Sequence, residues 1–219
     1  MNNIPSASLV YSSSKHSTLV VLNSFGDEWK GVIKCLNNMG VSDYSLLVIS
    51  NLDWNRSLSP WKAEAVFKGE PAFEGCADEY IDELTNVIIS QSISSNGLSP
   101  VSTYVAGYSM AGLFALYCLY KTDLFSGAAS CSGSLWFPGF KDYAVTKPLL
   151  NANQKIYLSL GDRESKTKNI IMGAVENNSR IIFDNYTKRG INCIFELNAG
   201  GHFNEPAFRT AKGIAFLLS

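Results

Sequence analysis

Several things are scarce in this chain, and each scarcity removes a class of function. No stretch approaches the ~20 consecutive apolar residues of a membrane-spanning helix. The opening Met-Asn-Asn-Ile-Pro-Ser lacks the positive start and apolar core of a secretory signal. Lys and Arg number 18 against 19 Asp and Glu, a net charge of −1, and no basic tract is present to hold nucleic acid. Cysteines are few, odd in number and scattered, at Cys35, Cys76, Cys118, Cys131 and Cys193, with no C-x-x-C pair. They read as reduced core residues of a cytoplasmic protein and predict neither a zinc site nor a disulfide frame. In that compartment the N-x-S/T strings at Asn55, Asn177 and Asn185 carry no glycan. Histidine is scarcest, with only His16 and His202, so the choice of a general base is narrow.

What is present is ordinary core-forming material. The 219 residues are 46% apolar, enough for one well-buried domain spanning residues 1–219. No repeat, low-complexity segment or linker divides it. β-Branched or continuous apolar runs at 18–22, 45–49, 101–106, 155–160 and 191–197 predict buried strands, with a weaker one at 7–11 and a small-residue one at 127–132. Helices are expected from Asp27, as a cap, to about Asn38, and over 76–91, 110–121, 167–189 and from Pro206 onward. In the second of these, Ala77, Tyr80, Ile81, Leu84, Val87 and Ile88 keep helical spacing. Residues 94–97 read as a turn, and the last helix is expected to bury Ala207, Phe208, Ala211, Ile214, Ala215 and Leu218. Strands alternating with helices give a mostly parallel sheet covered on both faces.

The most informative stretch is Val101-Ser-Thr-Tyr-Val-Ala-Gly107-Tyr-Ser109-Met-Ala111-Gly112. A strand, a Gly-x-Ser-x-Ala turn and an apolar helix in that order form a nucleophile elbow. The serine must stand on a strained turn to clear the sheet, so the positions two before and two after it must be small. They are Gly107 and Ala111, the second a mild departure from glycine.

With this motif, and with Leu158-Ser-Leu-Gly161-Asp-Arg-Glu164 and Gly200-Gly-His202-Phe in the right order after it, the chain resembles the α/β-hydrolases of the esterase D and enterochelin-esterase type. The resemblance covers most of the chain. It implies an α/β-hydrolase fold, and no large cap domain fits between residues 135–140 and residue 154. It implies a serine esterase acting on a small-molecule carboxylic or thio ester, with no metal or organic cofactor.

A serine hydroxyl needs a base to take its proton during attack. His202, in a glycine-rich loop after the last strand, is the candidate, and His16 reads as a surface residue. A carboxylate should hold the base's tautomer. The family's Gly-x-x-Asp/Glu pattern selects Glu164, with Asp162 the alternative if the turn is tighter. Two backbone N–H groups should face the developing oxyanion. One is expected from Met110, the other from Phe25 or Gly26 in the turn after residues 18–22, although the family's usual His-Gly is missing there.

The long segment 51–75 carries Trp54, Arg56, Trp61, Phe67 and Phe73. Trp54, Arg56, Trp61 and Tyr108 are candidate substrate-binding residues, Arg56 for a substrate carboxylate. The plainer alternative is that the aromatics pin the loop and Arg56 pairs with Asp53. Residues 135–140 suit a pocket wall or core packing equally. The competing functional reading is a non-catalytic α/β-hydrolase-fold ligand-binding or interaction protein, which would have no need of the Ser109/His202 pair.

Overall fold

The computed structural model describes residues 5–66, 69–151 and 153–219. Phe67 lies outside the described residues. The central sheet is made by β1 (Ser6–Ser12), β2 (Leu19–Asn23), β3 (Ser45–Ser50), β6 (Thr103–Tyr108), β7 (Gly127–Cys131), β8 (Lys155–Gly161) and β9 (Asn192–Asn198). Between β3 and β6, β4 (Lys62–Ala63) and β5 (Phe73–Glu74) pair as a separate short ribbon. Spatial order in the large sheet is β1-β3-β2-β6-β7-β8-β9. Only β1 runs antiparallel to its neighbour; the rest are parallel. This is the α/β-hydrolase type of sheet that the sequence predicts.

The apolar runs explain the layering. Successive strand residues point to opposite faces. Leu19 and Val21 pack on one side with Leu47 and Ile49, while Val20 and Leu22 pack on the other with Leu46 and Val48. A strand covered on both faces must be apolar at consecutive positions, and β2 is buried throughout. On the first face lie the wholly buried helix Met110–Cys118 and the helical segment from Ala77 to Asn96. On the second lie the helices Glu28–Asn38 and Pro206–Leu218. Each buried leucine-sized side chain contributes about 1.5–3 kcal/mol to this arrangement.

Four local expectations need correction. Asp27 stands at the helix N-terminus but its side chain caps nothing; it pairs instead with Lys30 at 2.5 Å. The helix expected over 76–91 continues to Asn96 and ends on Gly97 in the left-handed conformation (φ 59°), so 94–97 is a helix end. That helix also widens to a π-helix over Leu84–Ile89. The extra residue rotates the face: Val87 turns outward while Ile89 is buried. The polar helix is two pieces, Ile170–Gly173 and Val175–Lys188. Finally, the last helix buries Arg209, Thr210, Ala211, Gly213, Ile214 and Leu217, and leaves Phe208 partly exposed. Among the described residues no helix is long and apolar enough to cross a membrane, and the five cysteines are unpaired.

Candidate active site

Strand β6 ends at Tyr108, and Ser109 follows with φ 58° and ψ −122°, outside the regions a non-glycine residue favours. The helix Met110–Cys118 begins at once. The turn is this tight because Gly107 has no side chain. A Cβ there would sit 2.4 Å from the Ala111 backbone carbon and oxygen. The Ala111 methyl fits into the space so left. Gly112 lets the same helix approach the strand-end segment after β7, where a Cβ would come within 3.0 Å of Gly133 Cα. Two backbone hydrogen bonds pin the serine: its N–H donates to Cys131 O (3.1 Å), and the Ser134 N–H donates to its carbonyl (3.0 Å).

The loop after β9 brings His202 to the same edge of the sheet. Gly200, at φ 103°, turns the chain back, and its N–H donates to Asp162 Oδ1 at 2.9 Å. Asp162 therefore ties down the histidine loop. The Tyr108 hydroxyl donates to His202 O at 2.6 Å and fixes the loop from the elbow side. In this position His202 Nε2 lies 3.0 Å from Ser109 Oγ, and Nδ1 lies 2.7 Å from Glu164 Oε2. Ser109, His202 and Glu164 thus form one hydrogen-bonded series across the ends of β6, β9 and β8. His16, by contrast, is exposed, with Nδ1 3.3 Å from Ser99 O.

Glu164 is almost fully enclosed, with 5% of its side chain exposed. Its Oε1 accepts from the Gly161 N–H (2.6 Å) and from Arg209 Nη1 (3.1 Å). Burial alone would raise its pKa; the hydrogen bond from His202, the histidine's charge, the Gly161 N–H and Ser132 outweigh burial and hold the carboxyl below its ordinary value.

Arg209 is the residue that the sequence pattern missed. It is 1% exposed, and Nη1 also donates to Tyr108 Oη (3.2 Å) and Ser132 Oγ (3.1 Å), while Nη2 donates to Ala199 O (3.0 Å). One guanidinium fork therefore holds the carboxylate, the elbow tyrosine and the start of the histidine loop. The available signal was Gly213, one turn further on. Residues i and i+4 share a helix face, and a Cβ at Gly213 would meet Ala129 and Cys131 within 3 Å, so that face lies hard against the sheet.

The family model Esterase, described as "Putative esterase", matches residues 30–211. The chain belongs to this esterase family. Membership sets it among hydrolases of carboxylic esters. Curated protein sequences contain no match to it. Solved structures share its fold at low identity. An IroE-like serine hydrolase from Shewanella oneidensis superposes with a TM-score of 0.75 at 18% identity, covering 96% of this chain and 73% of that one. The siderophore hydrolase EstA from Aspergillus nidulans gives 0.71 at 18%, over 98% and 88% of the two chains. The enterobactin esterase FES from Shigella flexneri gives 0.70 at 16%, and the 98% of this chain that aligns spans 54% of FES.

Two cavities of the esterase open on Ser109 and His202. The larger, about 470 Å³, is mostly apolar, with Val66, Phe73, Met110, Trp136 and Met172 in its wall. The other, about 430 Å³, is lined by Phe25, Glu28, Trp54, Tyr108, Phe203 and Pro206. Of the expected substrate-binding residues, Trp54 and Tyr108 line this second cavity. Arg56 and Trp61 line neither, which corrects their expected placement. The Arg56 guanidinium bridges Glu74 (2.9 Å) and Glu79 (3.0 Å); the Asp53 carboxylate accepts from the Arg56 backbone N–H. Trp61 donates its indole N–H to Pro138 O (2.9 Å) and packs among Tyr117, Phe137, Phe140 and Tyr143. Phe25 shares a cavity with Ser109, whereas Gly26, at φ 50°, lines a third pocket, with Asp27, Ser50 and Leu52, that does not include Ser109. Residues 135–140 divide their roles: Trp136 lines the larger cavity, and Phe137 and Phe140 are core. Among the described residues no group of His, Cys, Asp and Glu converges as metal ligands would.

Proposed function

We propose that this esterase works through a Ser109–His202–Glu164 triad and an acyl-enzyme. The observation that carries the reading is the hydrogen-bonded series itself, 3.0 Å from serine to imidazole and 2.7 Å from imidazole to carboxylate, on a strained elbow. Ser109 Oγ attacks the ester carbonyl while His202 Nε2 takes its proton. Glu164, kept ionised, holds Nδ1–H and stabilises the imidazolium. The tetrahedral oxygen collects hydrogen bonds from the Met110 N–H, which as the first of its helix has no intrahelical acceptor, and from the Phe25–Gly26 turn. His202 then gives its proton to the departing alcohol. Water, deprotonated by the same imidazole, releases the acid and restores the serine.

The substrate is a small-molecule ester whose two arms occupy the two cavities. The likeness to siderophore hydrolases supports an ester of that size class, and the free thiols suit a reducing, cytoplasmic setting. A binding module without turnover has no use for a serine held in a disfavoured conformation against a histidine.

Labelling with a fluorophosphonate probe tests the nucleophile. Wild type should label and Ser109→Ala should not; equal labelling would remove the assignment. A series of p-nitrophenyl esters of increasing acyl length should then show a cut-off set by the cavity.

A further inference from the structure

The second cavity has a composition that plain ester hydrolysis does not require. Phe25 and Trp54 meet edge to face, with centroids 5.6 Å apart and planes at 80°. Phe203 lines the same cavity, edge to face against the His202 ring at 5.2 Å. Phe25 is 64% and Phe203 90% exposed, so these rings present their surface outward at the rim. Glu28 joins them in the lining. Its neighbours Asp27 and Lys30 satisfy each other, and among the described residues no Lys or Arg pairs with Glu28.

We propose that this cavity receives a substrate arm bearing an ammonium group, quaternary or primary, so that the enzyme prefers cationic esters. The inference rests on the esterase reading for calling the cavity a substrate arm. Ring faces attract cations through their quadrupole, and aromatic walls with one carboxylate make the usual ammonium cage. A first-turn acid also suits a helix N-terminus, and that accounts for an acid at this position. It does not account for three aromatics around the same space. Glu28 is exposed at the rim; partial burial raises its carboxyl, offset in part by the charge of His202, and a bound cation would favour its charged form. An anionic arm would meet this carboxylate, and Arg56, the one cation expected for such an arm, is turned away to Glu74 and Glu79.

The test uses an isosteric pair, choline and 3,3-dimethylbutan-1-ol, titrated calorimetrically into the full chain carrying Ser109→Ala. Choline should bind on the order of 10-fold more tightly. Glu28→Gln should remove most of that advantage, and Trp54→Leu should weaken choline more than the alcohol. Equal binding of the pair, binding of neither, or a choline preference untouched by Glu28→Gln overturns the proposal. Hydrolysis of the matching butyrate esters by the wild-type serine enzyme reads the second half. A kcat/KM advantage for the choline ester that Glu28→Gln abolishes supports it. Equal slowing of both esters by Glu28→Gln would show that the carboxylate acts through His202, and would also overturn it. Choline binding without hydrolysis of any ester sinks the triad mechanism and leaves the ammonium site standing.

Discussion

Glu164 and Arg209 divide one task at atomic scale. The carboxylate faces His202 with one oxygen and the guanidinium with the other. Removing the guanidinium leaves a buried charge short of a partner, which typically costs 3–5 kcal/mol. Arg209→Met should therefore destabilise by about 3 kcal/mol, read by urea unfolding, and should lower kcat far more than it raises KM. Arg209→Lys keeps the charge but loses the fork, so it should recover stability more fully than kcat. A variant with unchanged kcat would show that Glu164 needs no such support. The Glu164 carboxyl itself predicts a pH effect. Its folded pKa is lowered from the ordinary 4.5. The stability that it contributes is full above that ordinary value and is lost as pH falls through the lower folded value. Unfolding free energy of wild type should decline on acidification below about pH 4.5, and Glu164→Gln should show a shallower decline. Matching slopes would contradict the assigned direction. Ser109, His202 and Glu164 were legible because each sits in a short motif whose glycines announce a turn. Arg209 was not, since a charged residue among Ala207, Phe208 and Ala211 reads as the solvated side of an amphipathic helix. Its partners Tyr108, Ser132, Glu164 and Ala199, at or just beyond the ends of β6, β7, β8 and β9, make its burial tolerable.

At the scale of elements, the elbow depends on close contact between a strand and a helix. Gly107→Ala would drive a methyl into the Ala111 backbone at 2.4 Å, where no side-chain rotation gives relief. Overpacking of this kind costs about 1–3 kcal/mol, so Tm should fall by roughly 2–12 °C for a chain of this size. Activity should fall further than stability, because the strand end and Ser109 move together. A fully active Gly107→Ala enzyme would deny the tight-turn argument. Strand positions were readable for a related reason: β2, β3 and β8 are covered on both faces, and continuous apolar runs say so. The helix Ala77–Asn96 shows where such reading stops. Its first turns obey the 3.6-residue spacing through Leu84, and then the π-helix adds a residue and hands the buried position from Ile88's register to Ile89. Nothing in the order of Val87, Ile88 and Ile89 separates them, since all three are apolar and β-branched; the backbone hydrogen-bond pattern decides.

Across the whole molecule, the site is assembled by the sheet. Ser109, Glu164 and His202 come from three strand ends, and Arg209 from the last helix. Cys131 closes β7, and its carbonyl takes the Ser109 N–H. Burial pushes the Cys131 thiol up to about 12, with Ser159 among the groups pulling it back, so the native protein holds it as an unreactive thiol at neutral pH. Its modification therefore reports opening of the sheet. We expect Cys131 to resist a disulfide exchange reagent in buffer and to react across the urea transition. If the chain is one cooperative domain, esterase activity should vanish along the same curve. The histidine loop carries the looser alternative: it is held mainly by Tyr108, Asp162 and Arg209, and it could open while β7 stays closed. Activity lost at lower urea than Cys131 protection would then locate the weakest unit in residues 199–205. In that case Tyr108→Phe, which deletes the 2.6 Å bond to His202 O and the 3.2 Å bond accepted from Arg209 Nη1, should widen the gap between the two curves while moving the thiol transition by no more than about 3 kcal/mol, the upper cost of leaving a buried polar group unpaired.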